Sequence, residues 1–579
     1  MAGDSERSRL FTRRAILIGA AQTSLFTLLA GRLYYLEIMQ GENYKTLAEE
    51  NRINLRLIAP RRGQILDQNG TPLAVNQQNY RVVLLPEQVD DIEDLINDLG
   101  AYVEIDATDR KRIERDLKND VGNFNAILVK DNLTWSQVAQ ISLHNLDLPG
   151  TDIDTGEVRS YPYNEATSHL LGYVGTVSQE ELNNSEDDDD NGDNILAIPG
   201  FRIGKNGVEK QYDLEMRGEA GNVQMEVNAH GRVVRELARN ESKPGQDVML
   251  TIDIGLQQFT QQRLLAEEGA AAVIIDIHTG AILALASQPG FDPNLFTYGI
   301  AQDDWDRLNN DIHAPLLNKV TSGVYAPGST MKPIVAMAAL EANMVNPEAK
   351  TYCPGYLDMG TYRFHCWKHG GHGYVNLHQA IAGSCDTYFY DLGKRIGIDR
   401  IESMAKRMGY GTKLGVDLPH ERPGLVPSRA WKEATRGEPW QQGETLIAAI
   451  GQGYMLTSPL QLAVMAARVS NGGKAVIPHI LKKIGDKVRP ESQWPSLGFN
   501  ADHMRIVQQG MSAVVNEQIG TAYAARIMKP EFAMAGKTGT SQVRHISTAE
   551  RDSGVIKNEA LPWKERDHAL FGGFAPVDN

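Results

Sequence analysis

The chain has 579 residues, of which 42% are apolar and 23% are charged. A chain of this length exceeds what one hydrophobic core supports, so we expect at least two folded domains and exclude disorder over most of the length. The formal net charge is −15 and no basic stripe with interleaved aromatic residues occurs, so we expect no nucleic-acid partner.

The N-terminus predicts a membrane anchor. An uncharged apolar run at 15–31 follows the arginine-rich stretch "RSRLFTRR". About 17 residues is the short end of what spans a bilayer, and the arginines keep the preceding segment in the cytoplasm. We expect a cytoplasmic tail at 1–14, a transmembrane anchor at 15–36 in a bacterial inner membrane, and the remainder in the periplasm. A cleaved signal peptide is the alternative, but no convincing small-residue cleavage site follows the run.

Strand and helix patterns then alternate. Segment 58–76 predicts a hairpin that turns at Asn69-Gly70. From 246 onward, strands come first, helices occupy the middle and strands return at the end, which predicts an α/β fold whose sheet uses both ends of the domain. A helix after residue 250 is expected to bury four apolar side chains. These are Leu256, Phe259, Leu264 and Leu265.

The stretch "YAPGSTMKP" carries the first candidate catalytic pair. Ser329 begins a predicted helix and Lys332 follows three residues later, so the two side chains lie on one face. A serine hydroxyl becomes a nucleophile when a neighbouring base takes its proton. The spacing alone is weak, because "SMAK" at 403–406 repeats it on what we interpret as a helix surface.

Two further stretches separate Ser329 from that repeat. Ser384-Cys385-Asp386 follows in a predicted loop, and Lys537-Thr538-Gly539-Thr540 lies in a predicted strand near the end. This ordered set resembles the S-x-x-K, S-x-N and K-T-G motifs of serine penicillin-binding proteins and β-lactamases.

The resemblance extends from residue 32 onward and is most specific for class B penicillin-binding proteins. It includes "RRGQILDQNGTPLA", "RSYPYNEATSHLLGYVG", "GKNGVEKQYD" and "GQGYMLTSPLQLA". The stretch "WKHGGHG" and the aspartate of the second motif are similar to the elongation-specific members of that class.

The resemblance implies an α/β multidomain architecture behind the transmembrane helix. A mostly β pedestal domain is expected at 37–245, with a head insertion at about 80–160. A C-terminal penicillin-binding or β-lactamase-like transpeptidase domain is expected at 246–579, as an antiparallel sheet with helices on both sides. Family members continue with a strand and a helix after "FGGFAPVDN", so we expect the sequence to be truncated there.

The resemblance also implies a reaction. Ser329 attacks the carbonyl of the penultimate D-alanine of a peptidoglycan stem peptide, with Lys332 as the base. Ser384 relays a proton to the leaving D-alanine, and an amine of a second stem peptide resolves the acyl-enzyme. Penicillin binds covalently at the same serine, and no organic cofactor is needed.

The third motif is implied to hold the substrate. Lys537 and Thr538 bind its carboxylate, and Gly539 lies between them and Thr540. The backbone amides of Ser329 and Thr540 form the oxyanion hole, which stabilises charge that develops in the transition state.

Asp386 departs from the asparagine that is commoner in the family. An ionised aspartate beside Lys332 favours the protonated lysine and so opposes its use as a base. Asp386 therefore either contacts the substrate differently or shares a proton with Lys332.

Partners follow from the same resemblance. They are peptidoglycan stem peptides, β-lactams, a glycan polymerase of the SEDS family, scaffold proteins of the elongation complex, and the membrane. Four other functions stay open: a septal transpeptidase, a D,D-carboxypeptidase, a β-lactam-sensing receptor and an inactive scaffold.

The only three cysteines, Cys353, Cys366 and Cys385, lie close together in the sequence. With His372 they offer four ligands for a closed, structural zinc site, with His369 as the rival fourth ligand. One disulfide with a free thiol and three free thiols are the alternatives. Zinc at matching positions is known among similar elongation enzymes, which favours the zinc interpretation.

Overall fold

The computed structural model describes residues 3–40, 53–89, 91–119, 126–178, 180–182, 195–198, 200–227, 233–544, 550 and 554–577. It starts with helix Gly3–Tyr34 and a π-helical turn, Tyr35–Met39. Within these, Ile16–Met39 is an apolar stretch of 24 residues with mean hydropathy 1.4, exposed along its length. It is about 36 Å long, more than the ~30 Å hydrocarbon core, so its length and composition fit a single-pass anchor.

A three-stranded antiparallel sheet follows the anchor. Gly221–Val227 is its middle strand, between Ile53–Ile58 and Val233–Asn240. The predicted hairpin lies beside it, because Ile65–Leu66 pairs antiparallel with the start of strand Pro72–Leu84. Its turn contains Gly70 at φ +88°, a conformation that favours glycine.

Strand Pro72–Leu84 extends into the segment predicted as the head insertion. It pairs with Thr151–Ser160 along its length and with Ile127–Lys130 near its end. Helices Ile92–Leu99, Ala107–Asn119 and Trp135–Leu143 complete this part. Apolar side chains from these helices and strands form a core of their own, which includes Leu99, Ile113 and Ile141.

Short elements connect this part to the C-terminal half. They are Asn164–Thr167, Ser168–Leu171, Val174–Thr176, Arg202–Gly204, Gly207–Gln211 and Asp213–Arg217. Val174–Thr176 and Arg202–Gly204 pair as an antiparallel ladder.

A buried ion network joins three separate stretches of the pedestal. The carboxylate of Glu209, 0% exposed, accepts hydrogen bonds from Arg62 at 2.8 Å and Arg159 at 2.7 Å. Arg62 also donates to Asp213 at 2.7 Å, which accepts from the Gly204 amide at 2.7 Å. Burial alone would raise the pKa of Glu209, but the two arginines hold it below its usual value of 4.5.

One sheet links the pedestal to the C-terminal half. Strand Val248–Leu250 pairs parallel with Ile65–Leu66 and antiparallel with Leu481–Ile484. Lys487–Val488 forms the edge of this sheet. The expected boundary between residues 245 and 246 therefore lies just before a strand that hydrogen-bonds to both parts.

The C-terminal half is mostly helical between its first and last strands. Its helices are Ile254–Leu264, Asn294–Thr297, Gln302–Asn310, Lys332–Glu341, Leu377–Ala382, Asp386–Ile396, Ile398–Arg407, Arg429–Arg436, Gln442–Ala449, Pro459–Ser470 and Ala501–Asn516. Two small antiparallel strand pairs lie among them: Thr351–Cys353 with Gly373–Val375, and the hairpin Tyr356–Met359 with Tyr362–His365. Residues 332–340 are all buried, so the helix after Ser329 lies in the centre of the core.

The sheet predicted from both ends of the domain takes the form of two antiparallel hairpins. Ala270–Ile275 pairs with Ile282–Gln288, and Ala535–Ser541 pairs with His568–Phe574. The described residues form no ladder between the two hairpins. Both pack instead on helix Pro459–Ser470, which lies against one strand of each.

Helix Ile254–Leu264 buries a face that its sequence did not predict. Phe259 and Leu265, expected in the core, are 59% and 58% exposed. The buried face is polar, and Gln257 both donates to and accepts from the backbone of Leu285 at 2.7 Å. Glutamine satisfies buried backbone groups that an apolar side chain would leave unpaired.

We expect Glu209→Gln to lower the free energy of unfolding by about 3 kcal/mol, because it removes the charge that compensates two buried arginines. Urea unfolding of the detergent-solubilised chain measures the loss. Glu402→Gln is the matched control, since Glu402 pairs with Lys406 at 2.7 Å on the surface. The control should lose about 0.5 kcal/mol. Equal losses in the two variants would contradict the interpretation.

The same network predicts a pH dependence. The folded-state pKa of Glu209 lies below 4.5, so its stabilisation is complete above that pH. It should disappear as the pH falls through the folded-state value. The difference in unfolding free energy between the wild type and Glu209→Gln should therefore shrink on acidification, and a constant difference would refute this.

Candidate active site

Ser329 lies in a tight turn that enters the central helix. The turn, Gly328–Met331, is 3₁₀-helical and continues directly into Lys332–Glu341. Gly328 adopts φ +54°, and its amide donates to the carbonyl of Gly451 at 2.8 Å. A Cβ at Gly328 would lie 2.3 Å from the carbonyl oxygen of Thr540, so only glycine permits this approach. The hydroxyl of Ser329 is half-buried and makes no hydrogen bond to any residue in the described part of the chain.

The second motif lies between two helices. Ser384 and Cys385 connect Leu377–Ala382 to Asp386–Ile396. Ser384 has φ +55°, a left-handed conformation that costs a non-glycine residue of order 1–3 kcal/mol. Such a conformation persists only where the surroundings hold it, so the contacts of Ser384 are informative.

The hydroxyl of Ser384 connects the other two motifs. It accepts a hydrogen bond from the ammonium of Lys332 at 3.1 Å and from that of Lys537 at 3.0 Å. Lys332 also donates to the Ser384 carbonyl at 2.8 Å and to the carboxylate of Asp386 at 2.7 Å. The three motifs, far apart in the sequence, therefore meet at one oxygen atom.

The third motif lies on strand Ala535–Ser541, next to the Ser329 turn. A Cβ at Gly539 would lie 2.9 Å from the Pro327 carbonyl oxygen, so this glycine allows the strand to pass close to the turn. The hydroxyls of Thr538 and Thr521 are 2.6 Å apart. The carbonyl of Thr540 is held by the Gln452 amide at 2.7 Å.

The two lysines are both fully buried at 0% exposure. Burial first, and then the charge of Lys332, lower the pKa of Lys537 well below its usual value, against the opposing effect of Asp386. Asp386 pairs directly with Lys332, so its carboxylate compensates one of two buried positive charges. Burial and the neighbouring Lys332 therefore disfavour the charged form of Lys537.

The predicted cysteine and histidine residues also come together. The ligand atoms of Cys353, Cys366, His372 and Cys385 all lie within 4.8 Å of one another. Nδ1 of His372 is 3.7 Å from Sγ of Cys353 and 3.5 Å from Sγ of Cys366. His369, the rival fourth ligand, is exposed and outside this group. The three cysteines are free thiols in this structure.

The geometry of this group fits a tetrahedral zinc ion. Usual Zn–S and Zn–N lengths place neighbouring sulfur and nitrogen ligands about 3.6 Å apart, close to the two distances observed. Nε2 of His372 donates to the Gly383 carbonyl at 3.1 Å, which leaves Nδ1 free to bind a metal. A hydrogen bond from Cys385 lowers the pKa of Cys366 to about 2, so this sulfur readily becomes a thiolate.

Two residues of the site were not predicted as functional. Gln452 holds the Thr540 carbonyl, and Trp367 donates to Ser384 and Asp386 of the second motif and to Gly383 before it. Both lie in stretches, "GQGYMLTSPLQLA" and "WKHGGHG", that carried the family resemblance. That resemblance was the only signal, because each side chain acts on backbone carbonyls that a sequence pattern does not reveal.

Two known protein families match the chain, one in each half. The family described as penicillin binding protein transpeptidase domain matches residues 270–579. The family described as penicillin-binding protein dimerisation domain matches residues 57–250.

Whole-chain relatives agree with these matches. Peptidoglycan D,D-transpeptidase MrdA of Escherichia coli K12 is 36% identical over 583 aligned residues, covering 99% of this chain and 90% of the relative. The complex between penicillin-binding protein 2 and MreC from Helicobacter pylori matches with a TM-score of 0.76 and 28% identity, over 91% of this chain and 93% of that chain.

A solved peptidoglycan synthase complex, described as coordinating polymerization and crosslinking, contains a chain that matches with a TM-score of 0.68 and 27% identity. That match covers 98% of this chain and 92% of that chain. The three motifs, the two matched halves and the whole-chain identity agree, and the chain belongs to the class B penicillin-binding proteins.

Proposed function

We propose that this chain is a peptidoglycan D,D-transpeptidase that cross-links stem peptides during cell-wall elongation, through an acyl-enzyme on Ser329. The observation that carries the proposal is the Ser384 hydroxyl, which bonds both Lys332 and Lys537 beside the Ser329 turn. The 36% identity to a D,D-transpeptidase over the whole chain supports the same activity.

The reaction has two acyl transfers. Lys332 takes the proton of Ser329 as its oxygen attacks the carbonyl of the penultimate D-alanine. Collapse of the intermediate breaks the bond to the terminal D-alanine, whose nitrogen receives a proton through the Ser384 hydroxyl. The amine of a second stem peptide then attacks the ester carbonyl, which forms the cross-link and breaks the bond to Ser329, and a proton released by that amine restores the Ser329 hydroxyl.

The rest of the site would orient the substrate. Lys537 and Thr538 bind the terminal carboxylate, or that of a β-lactam, which acylates the same serine. The backbone amides of Ser329 and Thr540 stabilise the oxyanion. Gly328, Gly539 and Gln452 support this role, because they keep the turn and the strand at the required separation.

We also propose the placement of the chain in the cell. Residues 1–14 lie in the cytoplasm, 15–36 cross the inner membrane, and the pedestal at 37–245 and the transpeptidase domain from 246 lie in the periplasm. The known structures of relatives with MreC and in a peptidoglycan synthase complex support a scaffold protein and a SEDS-family glycan polymerase as partners.

The four-residue group is proposed to hold a structural zinc ion. Cys353, Cys366, His372 and Cys385 would be its ligands, and their spacing and the hydrogen bond of His372 support this. A closed four-ligand site leaves no position for a substrate, so the ion would fix the loop that carries Ser384 and Asp386.

Ser329→Ala should abolish covalent labelling by a fluorescent penicillin, because no other hydroxyl is expected to form the acyl-enzyme. Ser403→Ala is the matched control, since Ser403 has the same spacing to a lysine but lies exposed on a helix. The control should label like the wild type. Labelling of Ser329→Ala would overturn the assignment of the nucleophile.

Cross-linking should be visible when the chain acts on nascent glycan made by a lipid-linked glycan polymerase. Mass spectrometry of the digested product should find dimeric stem peptides and one released D-alanine per cross-link. Shortened stem peptides without dimers would instead identify a D,D-carboxypeptidase.

Asp386→Asn should retain acylation by penicillin. The asparagine oxygen can still accept from Lys332, and loss of the negative charge no longer favours the protonated lysine. Stopped-flow measurement of the acylation rate tests this, with thermal unfolding as the check on folding. Near-complete loss of acylation in a folded variant would rule it out.

Elemental analysis of the chain purified without added metal should find one zinc per chain. His372→Ala should lose the metal, lower the unfolding temperature and slow acylation, whereas the control His369→Ala should keep all three properties. A chain without zinc whose mass is two hydrogens short would mean a disulfide and refute the proposal.

A further inference from the structure

Trp367 links the cysteine group to the catalytic lysine. It directly follows Cys366, and its backbone amide donates to Oδ2 of Asp386 at 2.8 Å. Its indole N–H donates to the Ser384 carbonyl at 3.0 Å and to the Gly383 carbonyl at 3.2 Å. One residue thus makes two hydrogen bonds to the second motif and one to the residue before it.

The acceptors that Trp367 contacts are those that orient Lys332. The ammonium of Lys332 donates to the Ser384 carbonyl at 2.8 Å and to Oδ1 of Asp386 at 2.7 Å. Trp367 bonds the same carbonyl and the other oxygen of the same carboxylate. The Ser384 carbonyl and the Asp386 carboxylate therefore each accept one hydrogen bond from Trp367 and one from Lys332.

Ser384 depends most on such support. Its left-handed backbone is unfavourable for serine, and this conformation directs the hydroxyl towards two lysines and the carbonyl towards Lys332 and Trp367. If the Ser384 carbonyl lost its indole donor, the peptide group between Ser384 and Cys385 would have one restraint fewer against turning to a relaxed conformation.

We propose that Trp367 is a positioning residue whose indole N–H fixes the Ser384 backbone so that Lys332 stays aligned with Ser329. The inference rests on the proposed acyl-transfer function and adds a residue to it. Trp367 acts through hydrogen bonds to the second motif, so its loss should slow the chemical step and leave reversible substrate binding unchanged.

A competing role for Trp367 is substrate contact, because its side chain is 60% exposed. An aromatic face that stacks on substrate would contribute to reversible binding. The two roles therefore differ in which constant changes: the acylation rate constant for positioning, or the dissociation constant of the initial complex for contact.

The test is stopped-flow acylation of the full-length, detergent-solubilised chain by benzylpenicillin over a range of concentrations. Trp367→Phe keeps an aromatic ring and removes the indole N–H. We expect the acylation rate constant to fall about tenfold, the worth of hydrogen bonds of this kind, with the initial dissociation constant unchanged. Replacement of Trp367 by 3-benzothienylalanine, which has the shape of tryptophan but no N–H, should give the same loss without a packing change.

Trp494→Phe is the matched control, because the Trp494 indole also donates to a backbone carbonyl, that of His278 at 3.0 Å, away from the catalytic motifs. The control should acylate at the wild-type rate, and zinc content should not change in any variant. An unchanged rate constant in both Trp367 variants, or a loss confined to the initial dissociation constant, would overturn the inference. Failure of the wild type itself to form an acyl-enzyme on Ser329 would instead refute the proposed function.

Discussion

The hydroxyl of Ser384 lies between the buried ammonium groups of Lys332 and Lys537. Two ammonium charges that contact the same oxygen atom repel each other, and burial strengthens this repulsion because it lowers the effective dielectric constant. The carboxylate of Asp386 compensates one charge, and the lowered pKa of Lys537 indicates that burial and Lys332 disfavour the second.

Three separate elements of the fold bring Lys332, Lys537 and Ser384 together. The central helix buries Lys332, the hairpin Ala535–Ser541 with His568–Phe574 supplies Lys537, and the loop after Leu377–Ala382 supplies Ser384. Close approach of these elements depends on glycines, since a Cβ at Gly451 would lie 2.2 Å from the Gly328 carbonyl oxygen. The cysteine group includes Cys385, which belongs to the same loop.

The residues that could be predicted from the sequence are those marked by an unusual spacing, a family motif or scarcity. The serines and lysines of the three motifs were identified by spacing and family resemblance, and the three cysteines by their scarcity and proximity in the sequence. The structure brings all of these together in two groups that share the Ser384–Asp386 segment. Choosing His372 over His369 from sequence relied on spacing, and in the structure His372 lies with the three cysteines whereas His369 is exposed.

Residues that act through backbone groups could not be predicted. Trp367 and Gln452 bind carbonyls whose positions depend on the folded chain. The polar buried face of Ile254–Leu264 was missed for the same reason. The spacing of apolar residues does not show that Gln257 will hydrogen-bond the backbone of a neighbouring strand. The ion network also joins residues far apart, such as Arg62 and Glu209, and neither shows a local pattern.

The most direct test of this account is a crystal structure of the chain acylated by benzylpenicillin. We expect an ester on Oγ of Ser329, with the acyl oxygen between the backbone amides of Ser329 and Thr540. We also expect that Ser384 still contacts both lysines and that Lys332 still pairs with Asp386. An acyl group on another residue, or a Ser384 hydroxyl turned away from Lys332 and Lys537, would contradict it.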